Sequence, residues 1–410
     1  MKVLHTADWH LGKSLYQKRR YEEFEGFLKW LVTTLRDRQV DALLVAGDIF
    51  DTGTPSIKAQ ELYYEFLADV ARETPCRHVV VTGGNHDSPS FLDAPKRALR
   101  ALNVHVVGSA ADNPEDEVLT LRDSAGDVEL IVGAVPYLRD RDVRASEAGE
   151  SVEEKGRKLV EGIRAHYTAV GAEAERQRAG LRDRVPIVGM GHLFAAGGQM
   201  GEGVRDLYVG GLGQVCAEVF PSCFDYLALG HLHVPQSVGG RETFRYSGSP
   251  IPMGFDEAKR KQSVCLVHFE GRSASVELLD VPRLQRLESV KGDWSAIARQ
   301  LGAWVQEDAS CWVEVEYSGA EIIGNLREQI GREVEGSRVE VIQVKNPPAM
   351  RRFLEEAEGY SSLAELRVED VFERCLDAND IPAAQRDSLV AVFREAMLGW
   401  EQRKSEGVVS

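Results

Sequence analysis

The feature that most restricts what this 410-residue chain can fold into is a pattern that occurs five times before residue 234. A short aliphatic or β-branched run halts, and Asp, Asn or His follows at once. Asp8-Trp9-His10 comes after Met1 to Thr6, Gly47-Asp48 after Ala42 to Ala46, and Gly84-Asn85-His86-Asp87 after His78 to Thr82. Gly191-His192 follows Val185 to Met190, and Gly230-His231-Leu232-His233 follows Tyr226 to Leu229. Amphipathic stretches of helix length, Tyr21 to Arg38 and Ser56 to Arg72, separate the first runs, which is the order of packed α/β layers. In open α/β sheets ligands gather outside the carboxyl ends of the strands, where residues remote in sequence converge. Residues two apart on an extended segment face one side, which pairs Asp8 with His10 and His231 with His233. Seven side chains, Asp8, His10, Asp48, Asn85, His192, His231 and His233, are therefore expected to meet.

Carboxylate and imidazole together suit manganese, iron or zinc, whereas a site for magnesium alone would lean on oxygen ligands and water. Mn²⁺ is the expected ion. Asp48 has two oxygens and can bridge two metals, which in hydrolytic pairs sit about 3.5 to 4 Å apart. A single His beside a strand is more often structural, and a Gly-Asp pair is more often a turn. The inference rests on five such pieces in order. His5, His78, His105, His166 and His268 lie within or beside apolar or helical runs and read as structural.

With 43% hydrophobic and 28% charged residues the composition is that of an ordinary soluble globular protein. The formal net charge of -16 argues against coating nucleic acid by electrostatics alone. It does not exclude a nuclease, because metal ions and a basic partner subunit can supply positive charge. No run of 18 apolar residues occurs, and Val3-Leu4 reaches Asp8 without a signal peptide's apolar region, so a cytoplasmic location and no membrane partner are expected. Cys76, Cys216, Cys223, Cys265, Cys311 and Cys375 show no C-x-x-C pair and read as free, mostly buried thiols. A G-x-x-x-x-G-K-[ST] loop is missing, so any ATP would be used by another chain.

After Val104 to Val107 the signals continue as strands at Val118 to Leu121 and Val128 to Val135, then a surface helix from Glu153 to Leu181 in which Gly171 is a candidate break point. Val264 to Phe269 adds another strand. Two sheets with helices outside them account for this order. Past Pro282 come Leu287 to Val290, Ser295 to Gln306, Trp312 to Tyr317, Ile322 to Arg332 and Val339 to Val344, a strand-helix-strand-helix-strand module. Pro347-Pro348 ends it. Two helical patterns follow, Val368 to Ala378 and Ala383 to Gln402. Their apolar positions either dock on a partner or pack on their own domain.

At the five blocks the sequence resembles the calcineurin-like metallophosphoesterase superfamily, whose blocks read D-x-H, G-D, G-N-H-D or E, G-H and G-H-x-H, over about the first 280 residues. Within it the chain is similar to the SbcD family of bacterial nuclease subunits. The residues that carry this are Leu4-His5-Thr6-Ala7-Asp8-Trp9-His10-Leu11-Gly12, Gly47-Asp48-Ile49-Phe50-Asp51, Gly84-Asn85-His86-Asp87-Ser88 and Tyr246-Ser247-Gly248-Ser249-Pro250. The resemblance implies an α/β fold with a two-sheet β-sandwich core flanked by helices, a small α+β capping domain and C-terminal helices. The corresponding domains are a nuclease domain at 1–281, a DNA-binding cap at 282–346 and a helical segment at 347–410 that docks an SbcC-type ATPase.

Carried over residue by residue, the resemblance implies one metal held by Asp8, His10, Asp48 and His233 and a second held by Asp48, Asn85, His192 and His231. His86 takes the catalytic role beside the leaving oxygen, and Asp51 orients His86 by hydrogen bonding. Archaeal relatives carry His at the place of Asp51. Protein phosphatases follow that Asp with Arg, where this chain has Thr52, which lowers the phosphatase alternative. The implied activity is a 3′–5′ double-strand exonuclease and a single-strand or hairpin endonuclease in DNA repair, recombination and replication. A homodimer through the helices that follow Asp51 and Asp87 is also implied.

Lys13, Tyr16, Lys18, Arg19 and Arg20 form a basic cluster suited to a DNA backbone, or else to a solvated helix start. Phe194 to Val204 reads as a mobile loop beside His192. Two other functions use the same residues differently: a small-molecule phosphodiesterase or phosphatase, and a non-catalytic scaffold that positions an ATPase on DNA.

Overall fold

Strands that are apolar at nearly every position need cover on both faces, and the computed structural model supplies it with two six-stranded sheets lying face to face. It describes residues 1–144, 150–181, 184–195, 217–319, 323, 325–347 and, singly, 372, 376, 386, 389, 390 and 393. The helices expected within 368–402, the loop from 196 to 204, and Cys216 and Cys375 lie outside the described residues, apart from those single positions.

The first sheet runs in the order Ser273–Asp280, Ser263–Glu270, Lys2–Thr6, Ala42–Ala46, His78–Thr82, Val104–Val107. The second runs Gln236–Val238, Arg241–Tyr246, Tyr226–Gly230, Ile187–His192, Val128–Ala134, Val118–Arg122. In each sheet four consecutive strands are parallel. Antiparallel strands complete the edges.

Alternation survives inside the uniformly apolar runs. Leu43 and Val45 point to the helix side with Phe24, Phe27, Leu31 and Phe66, whereas Ala42, Leu44 and Ala46 pack between the sheets against Val132, Val188 and Ala228. Helix Tyr21–Asp37 buries Phe24, Phe27, Leu28, Leu31 and Leu35, the three- and four-residue spacing of one helical face. Helix Ile57–Glu73 does the same with Leu62, Phe66 and Val70. Trp9, fully buried, stands edge-on to Phe27 at 5.9 Å and to Phe66 at 5.3 Å. It thereby anchors the first Asp/His block to both helices.

Helix Val152–Arg178 is continuous over 27 residues and starts at a capping box of Ser151 and Glu154. Gly171, the candidate break point, does not interrupt it. A Cβ there would meet Pro221 Cγ at 2.8 Å, so the glycine permits close packing at a helix-propensity cost of about 1 kcal/mol. Several elements were not read from the sequence, strands Gln236–Val238 and Arg241–Tyr246 and two others among them. Ser273–Asp280 is a largely exposed edge strand, and residues 14–19 form a hairpin turning at Tyr16 and Gln17 with φ of 45° and 72°. Such a turn normally announces itself with Asn or Gly.

The parallel sheet Arg286–Gly292, Cys311–Tyr317, Val339–Lys345 has its own core of Ile297, Leu301, Val313, Val315 and Ile330. Its second helix is described at Leu326–Glu333, and Ile322, where it was expected to start, lies outside the described residues. Leu287 of this three-stranded unit, the region expected as the cap, packs with Leu15, Phe255 and Ala258. Among the described residues the cysteines Cys76, Cys223, Cys265 and Cys311 are free and buried, and no helix is long and apolar enough to cross a membrane.

Candidate metal centre

All five blocks leave their strands at the same end of the two sheets, and the chain turns sharply where it does so. Asp8, His10, Asp48 and His231 all have left-handed backbones, with φ of 54°, 47°, 49° and 100°. Each such residue stores on the order of 1–3 kcal/mol of strain, which packing elsewhere must hold. Asp8 and His10 therefore converge because the backbone curls beyond Thr6. The extended alternation expected from the sequence is not what aligns them. The curl is fixed by Asp8 N–H to Gly47 O at 3.1 Å, His10 N–H to Asp48 O at 3.0 Å and Leu11 N–H to Ile49 O at 2.9 Å. Two glycines make room: a Cβ on Gly47, whose φ is 85°, would lie 2.2 Å from His192 Nδ1, and one on Gly84 would lie 2.1 Å from Asp48 Oδ1.

Asp48 sits at the middle. Its Oδ1 accepts from His86 N–H at 2.9 Å, while its Oδ2 is 3.5 Å from His10 Nε2 and 3.3 Å from His192 Nε2. On one side, His10 Nε2 faces His233 Nε2 at 3.2 Å, and Asp8 joins these two in a cluster whose donor atoms lie within 4.8 Å of one another. On the other, Asn85 Oδ1 is 3.0 Å from both His192 Nε2 and His231 Nδ1. Asp8 Oδ1 accepts from His231 N–H at 2.8 Å and so links the two sides. All seven side chains singled out from the sequence meet here.

Hydrogen bonds at the backs of the rings decide which nitrogen faces inward. His192 Nδ1 is held by Ala46 O at 2.9 Å, His233 Nδ1 by Glu257 Oε1 at 3.1 Å and His86 Nδ1 by Asp51 O at 2.8 Å. An acceptor at Nδ1 keeps the proton there and leaves Nε2 for a ligand or for proton transfer. Asp51, expected to orient His86 by hydrogen bonding, meets that ring through its backbone carbonyl. Its carboxylate lies 3.4 Å from His10 Nδ1 and 3.1 Å from Lys13 Nζ.

The residues fit a bound cation. Burial lowers His10 to about 4 and His231 to about 3 and raises Asp8 to about 6. His192 behaves oppositely: burial disfavours its charge, but Asp48 and Asp8 beside it raise it to about 9. Asp8 Oδ2 is buried with no hydrogen-bond partner among the described residues, a state that normally costs about 1–3 kcal/mol or more. Facing imidazole nitrogens, an orphaned carboxylate oxygen and a carboxylate shared between two histidines form a donor set that a divalent cation would satisfy.

Two residues behind the centre complete it. Asp87 accepts from Gly84, Phe50 and Ile49 N–H at 2.9, 3.0 and 3.1 Å, tying the second block to the third. It was visible as part of the third block. Glu257 had no such signal, since an acidic residue in Phe255-Asp256-Glu257-Ala258-Lys259 reads as surface.

The basic cluster is mostly committed to the protein itself. Arg20 is buried, bidentate to Glu23 at 2.7 Å, and donates to Pro252 O at 2.6 Å. That inward guanidinium is not available to a DNA backbone, which corrects the expectation for this residue. Lys18 pairs with Glu340 of the cap, and Tyr16 hydroxyl reaches Glu314 of the cap at 3.4 Å while stacking on Phe255. Arg19 is exposed.

Comparison with known proteins agrees with this geometry. The family described as calcineurin-like phosphoesterase matches residues 1–235, and the one described as type 5 capsule protein repressor C-terminal domain matches residues 283–380. The chain is 38% identical over 396 residues to the SbcD subunit of the nuclease SbcCD from Escherichia coli (strain K12), covering 96% of this chain and 97% of that protein. The protein of the same name from Rhodobacter capsulatus is 39% identical, covering 67% and 68%, and that from Bacillus subtilis is 34% identical, covering 77% and 78%.

Proposed function

The chain belongs to the SbcD family within the calcineurin-like phosphoesterases, and from that premise we propose that it is the metal-dependent nuclease subunit of an SbcCD-type complex, acting on DNA. The observation that carries this reading is the convergence of Asp8, His10, Asp48, Asn85, His192, His231 and His233 around one carboxylate. Two divalent ions, Mn²⁺ first among them, are the proposed cofactors. Asp8, His10, Asp48 and His233 would hold one, and Asp48, Asn85, His192 and His231 the other. When bound, such ions supply Lewis acidity at the phosphate and lower the pKa of water.

The chain's own contribution follows from its hydrogen bonds. Asp51 O keeps a proton on His86 Nδ1, so Nε2 is the atom turned to the departing sugar oxygen, and it protonates that oxygen when the ring enters the step as imidazolium and leaves it neutral. The His86 backbone N–H, bonded to Asp48 Oδ1, ties this residue to the carboxylate at the middle of the centre. His192 and His233 are held in the tautomer that turns Nε2 inward. The left-handed turns at Asp8, His10, Asp48 and His231 organise these donors in advance of substrate.

The remaining parts of the proposal come from the family. The chain forms a homodimer, engages an SbcC-type ATPase through residues after 347, contacts DNA with the cap at 282–346, and works in the cytoplasm as a 3′–5′ double-strand exonuclease and a single-strand or hairpin endonuclease. The acidic balance of -16 is consistent with a partner providing much of the grip on DNA. Cleavage of a 5′-labelled hairpin DNA with Mn²⁺, beside an Asp48→Ala control, tests the reading. DNA cutting that vanishes in the control supports it. Turnover of bis-p-nitrophenyl phosphate alone, even with the ATPase added, points to a small-molecule phosphodiesterase.

A further inference from the structure

The loop from 249 to 258 touches the metal centre with one residue and the cap with two. Glu257, 1% exposed, carries a carboxylate with no route to solvent. Its Oε1 holds His233 Nδ1 at 3.1 Å, and its Oε2 accepts from Met253 N–H at 2.7 Å and from Ser249 hydroxyl at 3.4 Å. Gln262 Nε2 and Arg260 N–H bond its backbone carbonyl at 3.3 and 3.0 Å. The loop is also fastened to the His233 backbone, because Ser249 N–H donates to His233 O at 3.1 Å. Two residues before Glu257, Phe255 packs with Ala258, Leu15 and the cap's Leu287, with the cap's Trp312 and Ile342 against the same cluster. Any shift of the cap on this apolar seat therefore pulls on the segment that holds the carboxylate behind His233.

We propose that Glu257 is a positioning residue that fixes the His233 imidazole for metal, and that the loop from 249 to 258 makes this fixing depend on how the cap is seated. The physical reason is twofold. A carboxylate behind a ligating imidazole sets its tautomer and raises its donor strength, and loss of such a partner typically weakens metal binding 10- to 100-fold. Phe255 and the groups that bond the Glu257 carboxylate, Met253 N–H and Ser249 hydroxyl, lie on the same short segment, so a displacement of Phe255 is transmitted to the carboxylate. A cap displaced by DNA or by a partner would thereby alter metal occupancy without touching a ligand.

This inference rests on reading the centre as a metal site. Its test is titration of MnCl₂ into the full chain by calorimetry, with wild type, Glu257→Ala, Glu257→Gln, Phe255→Ala and the Phe255→Ala/Glu257→Ala double variant. Folding is checked by circular dichroism. Glu257→Ala should weaken Mn²⁺ binding about 10- to 100-fold, and Glu257→Gln by less, since the amide oxygen still accepts from Nδ1–H. Phe255→Ala should weaken it several-fold in the wild-type background and not at all in the Glu257→Ala background. A folded Glu257→Ala chain with wild-type affinity overturns the proposal, as does a Phe255→Ala effect undiminished in the double variant. If Glu257→Ala does not fold, wild-type affinity in either Glu257→Gln or Phe255→Ala overturns it. Wild type that binds no Mn²⁺ at all would instead bring down the metal-centre reading itself.

Discussion

Two polar clusters begin a few residues apart near the start of the chain, at Asp8 and at Lys13, and they differ in what the protein does for them. At the metal centre, buried groups meet without enough partners: His10 and His233 present nitrogen to nitrogen, and Asp8 Oδ2 has no partner among the described residues. Across residues 13–20, three of the four charges are met by protein, and the fourth, Arg19, is exposed. Arg20 is saturated by Glu23 and Pro252 O, Lys13 by Asp51 and Lys18 by Glu340. In the sequence the first cluster stood out by the order of its five motifs, and the second by residue type, which suits either a DNA backbone or a solvated helix start. Satisfaction separates them, because a buried polar group left short is costly and persists only where something else completes it.

The comparison is broken or sharpened most strongly at Asp48. Asp48→Ala removes the group shared by both sides of the centre, and DNA cleavage should fall by at least about 10³-fold, with Mn²⁺ binding lost in a chain that still folds. Persistent cleavage would mean that the cluster is not the active centre. His86→Ala comes next. It should keep Mn²⁺ affinity near wild type while turnover drops about 10²- to 10⁴-fold, the usual worth of a proton-transferring side chain. Equal losses of affinity and turnover would make His86 a ligand instead.

On the satisfied side, Arg20→Ala leaves Glu23 buried and unpaired, so urea denaturation should report a loss of about 3–5 kcal/mol. The salt dependence of DNA binding should stay as in wild type. A stable variant with a reduced salt slope would return Arg20 to the DNA interface.

His5 is an intermediate case, a buried ring between the sheets whose Nδ1 meets Tyr226 hydroxyl at 2.9 Å. Burial lowers it to about 3, so the folded protein keeps it neutral while the unfolded chain takes up a proton below about 6.5. Stability from this group is complete above that pH and falls as the solution is acidified toward 3, by about 2 kcal/mol at pH 5. His5→Gln should lose less stability than wild type between about pH 7.5 and pH 5, and equal losses would show that His5 does not titrate as described. Smallest of all, Lys18→Ala removes an exposed pair with Glu340 and should change stability by no more than about 1 kcal/mol.

The seven candidate ligands were legible because each follows directly on an apolar run, and apolar runs of that length are readable strands. What could not be read was how the chain leaves those strands. Left-handed turns at Asp8, His10, Asp48 and His231 have no compositional mark beyond adjacent glycines. Gly171, the candidate break point, shows the limit from the other side. A glycine signals weak helix propensity, but only the neighbouring Pro221 shows that the missing Cβ is needed for packing. Arg20 and Glu257 were misread or unread for one reason: both are charged residues in polar sequence, and burial depends on segments far away in the chain, Pro252 for one and His233 for the other.

By itself, then, the sequence determined the layered α/β class, the strand ends at which chemistry collects and the residue types that collect there, since these depend on local hydrophobic patterning and on donor chemistry. Tertiary structure alone decided which nitrogen of each imidazole faces inward, which atom of Asp51 meets which histidine, and which charges are spent within the protein. Those outcomes are set by contacts between residues as far apart as Ala46 and His192 or Leu15 and Leu287. No local pattern encodes them, because the free energy of a buried polar group is fixed by whatever the fold brings against it.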